Sequence, residues 1–161
     1  MKTLFLIRHA KSSWQDQDLD DHERPLNKRG ERDSLTMARY LAERDESIEV
    51  IYSSTAIRAL DFAQNLSDFT GVTLMPDLTF YTFDVDELHE ILKHLPEHVT
   101  NVAVVGHNPA ITEAVNRLAA QGYDNVPTAG IVKMECDIED WSQLYAGCAE
   151  LQYFVSPKML A

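Results

Sequence analysis

Apolar and polar positions alternate along the chain in blocks that predict strands and helices in turn. Short apolar runs, typical of buried strands, are separated by longer stretches whose apolar residues recur every three or four positions. The predicted strands are "TLFLI" ending at Arg8, "IEVIYSS", "VTLMP", "NVAVVGH", "GIVKMEC" and "AELQYFV". This succession predicts an α/β protein, a three-layer sandwich with helices on both faces of a mostly parallel sheet of about six strands. We expect the last two strands to pair antiparallel at an edge.

The predicted helices begin and end at residues with capping chemistry. The first helix starts near Lys28 after Asn27 as N-cap, and the last has Asn108 at its N-cap and Pro109 at N1, where a missing N–H costs nothing. Another covers roughly Asp86 to Leu95. The inner face of the first helix is predicted to consist of Leu35, Ala38, Leu41 and Ala42. A second helix is capped by Ser53, Ser54 or Thr55, and Gly71 lies just beyond its end.

Length and composition predict one domain over residues 1–161. The chain has 45% hydrophobic residues, and no linker or repeat interrupts it. Cys136 and Cys148 lack metal-binding or CxxC neighbourhoods, which favours reduced thiols in the cytoplasm. The start "MKTLFLIRH" does not match a secretory signal, and no apolar run is long enough to span a membrane. We therefore expect a cytoplasmic location.

The charge balance excludes some partners. With 14 basic and 26 acidic residues, the net charge of −12 disfavours binding to nucleic acid or to an anionic membrane. The acidic run "DQDLDDHE" imitates the start of a calcium loop. Its sixth position is however Asp21 instead of Gly, and its twelfth is Asn27 instead of Glu. The run is therefore interpreted as a solvated loop.

Basic residues follow three of the predicted strands. Arg8 and His9 end the first strand, Arg58 lies one turn into the helix after the second, and His107 ends "NVAVVGH". Because ligands bind beyond the carboxyl ends of parallel strands, these side chains are expected to meet at one rim. Two helix N-termini are expected to point to the same place. The pattern predicts a site for a dianion.

These residue types point to phosphoryl transfer. Guanidinium groups bind a phosphoryl group through planar forked donors, and a neutral imidazole can attack phosphorus to form a covalent phosphohistidine. A second histidine can donate to the equatorial oxygens in the transition state. No P-loop lysine pattern, HxxxH pair or pair of carboxylates at metal-like spacing is present. We therefore expect neither a metal nor another cofactor.

Four motifs resemble the histidine phosphatase superfamily. "LIRHAK", "RPLNKRG", "SSTAIRALDFA" and "VVGHNP" are similar to its conserved boxes, in the right order, between residue 2 and about residue 135. The short chain and the Arg before Pro25-Leu26 are most like the SixA branch of phosphohistidine phosphatases. The resemblance implies His9 as nucleophile, His107 as the second catalytic histidine, Arg8 and Arg58 as catalytic phosphate ligands, and Arg24 as a further phosphate contact. Asn108 is also expected to bind the substrate.

The chain departs from this superfamily at two positions. The glycine of the R-H-G box is Ala10, a small change that an ordinary backbone conformation accepts. Many members carry an acidic general acid after the third strand, and the matching position here is Phe80. Asp77 and Asp84 are near enough in sequence to act as the acid instead. The alternative interpretation is a surface Asp77 and an Asp84 that caps a helix.

The sequence thus predicts a metal-independent phosphatase that acts through a phosphohistidine intermediate. Its predicted substrate is phosphohistidine on a protein, such as a histidine-phosphotransfer domain, since the leaving imidazole needs less help from an acid than an alkoxide does. A small phosphorylated metabolite is the alternative substrate. A non-catalytic phosphate- or phosphoprotein-binding module and a mutase are rival interpretations.

Overall fold

Six strands form one sheet. A computed structural model describes residues 1–161. The strands are β1 (Lys2–Arg8), β2 (Val50–Ser53), β3 (Leu74–Pro76), β4 (Asn101–Gly106), β5 (Ile131–Cys136) and β6 (Ala149–Val155), in the order β3-β2-β4-β1-β5-β6. The first four are parallel, β5 is antiparallel to β1, and β6 is antiparallel to β5. The predicted parallel sheet with an antiparallel edge is confirmed.

Four helices cover the two faces of this sheet. They are α1 (Lys28–Arg44), α2 (Ile57–Thr70), α3 (Val85–Lys93) and α4 (Ala110–Ala119). On β1, Phe5 and Ile7 pack in the cluster that contains α1 and α2, whereas Leu4 and Leu6 pack in the cluster that contains α3 and α4. The strand is therefore apolar at successive positions because both of its faces are buried.

The first helix is capped as predicted, and its buried face includes the predicted Ala38 and Leu41 but not Leu35. Asn27 accepts a hydrogen bond from the Gly30 N–H at 2.8 Å. Leu35, predicted to face inward, is 42% exposed, while Ser34 is fully buried. Ser34 accepts a hydrogen bond from Asn65 of α2 at 2.8 Å. The close contact between α1 and α2 therefore uses a small polar residue, which apolar periodicity does not identify.

The other helices begin within a few residues of their predicted starts. α2 starts after Ala56, whose N–H donates to Ser54 Oγ at 3.1 Å. α4 starts after Pro109, one residue later than predicted, yet Asn108 Oδ1 still accepts from the Thr112 N–H at 3.0 Å. Ser54 thus accepts from two positions before the N-cap of α2, and Asn108 from one position before that of α4.

The segment between β5 and β6 contributes to the core. Trp141, predicted in a loop, lies in a single 3₁₀ turn and is fully buried, and its Nε1 donates to the Val99 carbonyl at 2.8 Å. An aromatic side chain of this size contributes more free energy of folding in the core than at the surface.

None of the helices is both long enough and apolar enough to cross a membrane.

Candidate active site

The carboxyl ends of three neighbouring strands bring the predicted basic residues together. Arg8 at the end of β1 pairs in register with Gly106 at the end of β4, and Ser53 at the end of β2 pairs with Val105. His9 and His107 therefore leave adjacent strands at the same level. Their ring centroids are 5.1 Å apart. The order β2-β4-β1 explains this convergence, because parallel neighbours end at one edge.

His9 is oriented and uncharged. Its Nδ1 lies 2.7 Å from the carbonyl oxygen of Ala10, so Nδ1 carries the proton and Nε2 keeps its lone pair. Burial lowers the pKa of His9 to about 4, against the opposing hydrogen bond to Ala10 and with help from Arg58, Arg8 and Arg24. The imidazole is therefore neutral at pH 7, and its Nε2 lone pair is available.

His107 is held between a serine and an arginine. Its Nε2 lies 2.7 Å from Ser54 Oγ, and Arg58 Nη2 lies 3.4 Å from its Nδ1. With Nδ1 accepting from Arg58, Nε2 donates to Ser54. Burial, followed by electrostatic repulsion from His9 and Arg58, lowers the pKa of His107 to about 3. Ser54 was predicted only as a cap; its place at a strand end was the signal for a site role.

Arg8 extends along the rim of the site. Its Nη1 donates to the Val126 carbonyl at 3.1 Å, while its Nε is buried and has no hydrogen-bond partner. Burial, and then repulsion from Arg58, lowers the pKa of Arg8. A buried donor without a partner is costly, so this N–H suits an anion that completes its hydrogen bonding.

Arg24 is locked in place by the segment that follows β1. Its Nε donates to the Ser13 carbonyl at 3.1 Å and its Nη2 to Ser12 Oγ. The indole ring of Trp14 stacks on the guanidinium, with 3.2 Å between the guanidinium carbon and the ring centroid. The side chain is buried and adjoins the other basic residues through Asp21.

The acidic loop supplies a carboxylate to the site, which corrects its interpretation as a wholly solvated loop. Asp21 Oδ1 accepts from Arg24 Nη1 at 2.9 Å, and Oδ2 accepts from Arg58 Nη2 at 2.8 Å and the Tyr81 hydroxyl at 2.6 Å. Burial would raise the pKa of Asp21, but hydrogen bonds from Tyr81, Arg58 and Arg24 hold it well below its usual range. Asp21 is therefore ionised.

Aromatic side chains form one wall of the site. The ring centroids of Tyr81 and Phe83 lie 5.3 Å and 5.1 Å from that of His107. Phe83 is nevertheless 43% exposed. His22, in the acidic run interpreted as a solvated loop, is half-buried against Tyr81, with 4.9 Å between the ring centroids. Tyr81, Phe83 and His22 belong to no recognisable motif, and no periodic pattern in the sequence indicates that they lie close to His107.

Asn108 uses its side-chain amide to hold a neighbouring loop. Its Oδ1 accepts from Thr112 N–H and Oγ1, and its Nδ2 donates to Asn125 Oδ1 at 2.9 Å and to the Val126 carbonyl at 3.0 Å. The same carbonyl accepts from Arg8. The side-chain oxygen and nitrogen of Asn108 are therefore both engaged with protein groups, and the residue positions the loop against Arg8.

The two acidic residues predicted as alternative acids lie outside this cluster. Asp77 caps a 3₁₀ turn through Thr79 and lines a separate cavity of about 430 Å³, and Asp84 accepts from the Asp86 N–H at the start of α3. Neither carboxylate hydrogen-bonds to Arg8, His9, Arg58 or His107. Phe80, at the position of the general acid, is buried in the core.

Guanidinium and imidazole side chains at the carboxyl ends of parallel strands form an arrangement suited to a phosphoryl group. The profile of the histidine phosphatase superfamily (branch 1) matches residues 4–91. The chain belongs to this superfamily. The predictions of the family and of a phosphatase are thereby confirmed.

Similar proteins share almost the whole length of the chain. An uncharacterized chloroplastic protein of Arabidopsis thaliana is 26% identical over 97% of this chain and 78% of its own. The structure of the protein histidine phosphatase SixA with tungstate superposes with a TM-score of 0.81 at 23% identity, covering 99% of both chains. A mycobacterial glucosyl-3-phosphoglycerate phosphatase superposes with a TM-score of 0.71 at 14% identity, over 97% of this chain and 100% of its own. At these identities, the solved structures establish the shared fold.

Proposed function

We propose that the protein is a metal-independent phosphatase whose nucleophile is His9 and whose substrate is phosphohistidine on another protein. The observation that carries the mechanism is the hydrogen bond between His9 Nδ1 and the Ala10 carbonyl. It directs the ring and leaves the Nε2 lone pair for attack on phosphorus. The pKa of about 4 keeps this nitrogen unprotonated over the physiological range.

The reaction proceeds in two displacements. His9 Nε2 forms a bond to phosphorus while the bond from phosphorus to the leaving nitrogen breaks, and the released imidazole takes a proton from solvent. Water then attacks the phosphorus of the phosphohistidine, which releases inorganic phosphate and restores His9. Arg8, Arg24 and Arg58 bind the phosphoryl oxygens. The His107 Nε2–H, which donates to Ser54 in the free protein, turns to these oxygens as charge builds up in the transition state.

The choice of substrate rests on the lack of an available carboxylic acid. Asp77 and Asp84 cap local turns, and Asp21 is ionised and accepts three hydrogen bonds. An alkoxide leaving group needs a proton in the transition state, whereas an imidazole is far less basic. Phe83 adds an exposed flat surface beside His107, which suits a planar leaving group such as imidazole or an aryl alcohol.

A small phosphorylated metabolite is the second candidate substrate. The glucosyl-3-phosphoglycerate phosphatase and the SixA protein share this fold, so the fold accommodates either class. Phosphohistidine on a protein is favoured because of the aromatic wall and because no carboxylic acid is available to protonate an alkoxide.

Trapping the intermediate tests the mechanism. After reaction with a phosphorylated substrate and rapid denaturation, we expect acid-labile phosphate on His9. His9→Ala should lower kcat by several orders of magnitude, because it removes the nucleophile. His98→Ala, at an exposed histidine, is the matched control and should retain activity. Turnover by His9→Ala near the wild-type rate would refute the mechanism, and binding of substrate without turnover by the wild type would indicate a non-catalytic module.

A comparison of leaving groups tests the substrate. We expect kcat/KM to be highest for a phosphohistidine protein, lower for an aryl phosphate and lowest for alkyl phosphates. Asp77→Asn and Asp84→Asn should leave this order unchanged. A preference for alkyl esters that either substitution abolishes would show that one of these residues is the acid and that the substrate is a phosphoester.

A further inference from the structure

The carboxylate of Asp21 sits among groups that bind a phosphate, although a carboxylate repels that ligand. Its two oxygens accept from both Arg24 and Arg58, and its main-chain carbonyl accepts from Arg58 Nη1 at 2.6 Å. The two-displacement mechanism requires arginines and histidines but gives this residue no task. Any effect of Asp21 on the reaction must therefore come through the side chains that it contacts.

Part of the effect of Asp21 is on the net charge of the site. Arg8, Arg24 and Arg58 are cations, and the two histidines are neutral, so the basic groups alone carry three positive charges. Asp21 lowers the total by one, to two positive charges, which equals the charge of a phosphoryl dianion in magnitude. The arginine pair also needs an anion between its members, because two buried guanidinium groups otherwise repel each other.

The other part of the effect of Asp21 is on the orientation of the Arg58 side chain. Arg58 is held by Asp21 on both terminal nitrogens, and the second of these also reaches His107 Nδ1. A side chain fixed at both nitrogens keeps one orientation toward the phosphoryl site and toward His107. Productive geometry of this kind depends on such support, since a small displacement of a binding group costs much of the rate.

Tyr81 is connected to Arg58 through the carboxylate of Asp21. Its hydroxyl donates to Asp21 Oδ2 at 2.6 Å, and both burial and that hydrogen bond raise the pKa of Tyr81. A tyrosine that already gives its proton to an ionised carboxylate is poorly suited to protonate a leaving group. Its contact with the carboxylate instead fixes the oxygen that Arg58 uses.

We infer that Asp21 is a positioning residue that aligns Arg58 and Arg24 for the phosphoryl group, and that Tyr81 acts through Asp21. The inference rests on the proposed phosphatase function, and it assigns a role to the acidic loop. Neither residue needs to contact the substrate. Their effect reaches the reaction through the orientation of the two arginines.

Three variants measured in one assay test this role. Asp21→Asn should lower kcat/KM about 10- to 100-fold, since it removes charge-assisted hydrogen bonds to two arginines and turns an NH₂ group toward donors. Asp21→Glu, which keeps the charge, should recover part of the loss. Asp20→Asn removes the same charge from the exposed neighbouring position and should stay within about twofold of the wild type. Equal activities of Asp21→Asn and Asp20→Asn would overturn the inference.

The double variant separates positioning from direct participation. Tyr81→Phe alone should lower kcat/KM about 3- to 10-fold, but in the Asp21→Asn background it should add less than about twofold, because its contact is already lost. Effects that multiply would show that Tyr81 acts on the substrate itself.

A measurement that does not depend on turnover distinguishes the positioning role of Asp21 from the proposed phosphatase function. In proton–nitrogen spectra of the arginine side chains, Arg58 should show separate, slowly exchanging Nη signals in the wild type and in Asp20→Asn. These signals should merge or broaden in Asp21→Asn; if they remain separate, Arg58 does not depend on Asp21. An inactive wild type with this spectral change would refute the phosphatase function while supporting the positioning of Arg58.

Discussion

Two buried histidines are kept uncharged, which couples the free energy of unfolding to pH. The pKa of His9 is about 4 and that of His107 about 3 in the folded protein, against about 6.5 for an unfolded histidine. Their contribution is fully present above pH 6.5 and is lost as the pH falls toward 4, because the unfolded chain binds two more protons. Near pH 5 the unfolding free energy should rise with pH by about 2.7 kcal/mol per unit from these groups.

Urea unfolding between pH 4.5 and 7 measures this dependence. His107→Gln keeps hydrogen-bonding capacity but cannot be protonated, so it should remove about half of the slope. His98→Gln, at an exposed position, should leave the slope unchanged. A slope that His107→Gln does not alter would mean that this imidazole is protonated in the folded protein as readily as in the unfolded chain.

At the level of elements, one glycine sets how α1 meets the segment after β1. A Cβ at Gly30 would overlap the carbonyl oxygen of Lys11, the same oxygen that accepts from the Asn27 N–H at 3.0 Å. Gly30→Ala must therefore displace α1 or this segment, which also holds Arg24 through Ser12 and Ser13. We expect a loss of about 1–3 kcal/mol in unfolding free energy.

Gly122 offers the matched control, since a Cβ there would meet no atom within 4 Å. Gly122→Ala should change the unfolding free energy by no more than about 0.5 kcal/mol. Chemical denaturation of both variants makes the comparison. Equal stabilities would show that the α1 contact can shift without cost, and would remove the close approach as the reason for glycine here.

At the level of the whole molecule, three arginines converge in a protein of net charge −12. Because these guanidinium groups can balance a phosphoryl dianion, inorganic phosphate, tungstate and vanadate should bind beside His9 without a divalent ion. Vanadate should inhibit more strongly than phosphate, since it can adopt the five-coordinate geometry of the displacement. Turnover measured with and without a chelator provides the test. Activity that a chelator abolishes and magnesium restores would indicate metal-assisted transfer.

Much of this architecture follows from local patterns. The apolar run before Arg8 predicts a strand buried on both faces, and β1 packs against a helix layer on each side. Strands alternating with helices predict a parallel sheet, whose carboxyl ends then bring His9, Arg58 and His107 to one rim. These inferences succeed because periodicity and strand direction are properties of short segments.

Other features were decided only by the tertiary structure. Asp21 contacts Arg58 from 37 positions away and Tyr81 from 60, and neither distance in sequence carries a pattern. Ser34, and not the predicted Leu35, is buried at the contact between α1 and α2 for a related reason. The adjacent helix determines which side chain fits there. The sequence by itself therefore determined the elements, their order and the neighbourhood of His9. Packing between distant segments decided which acidic residue lies ionised among the arginines and which aromatic rings line the site, because those energies arise only once the segments touch.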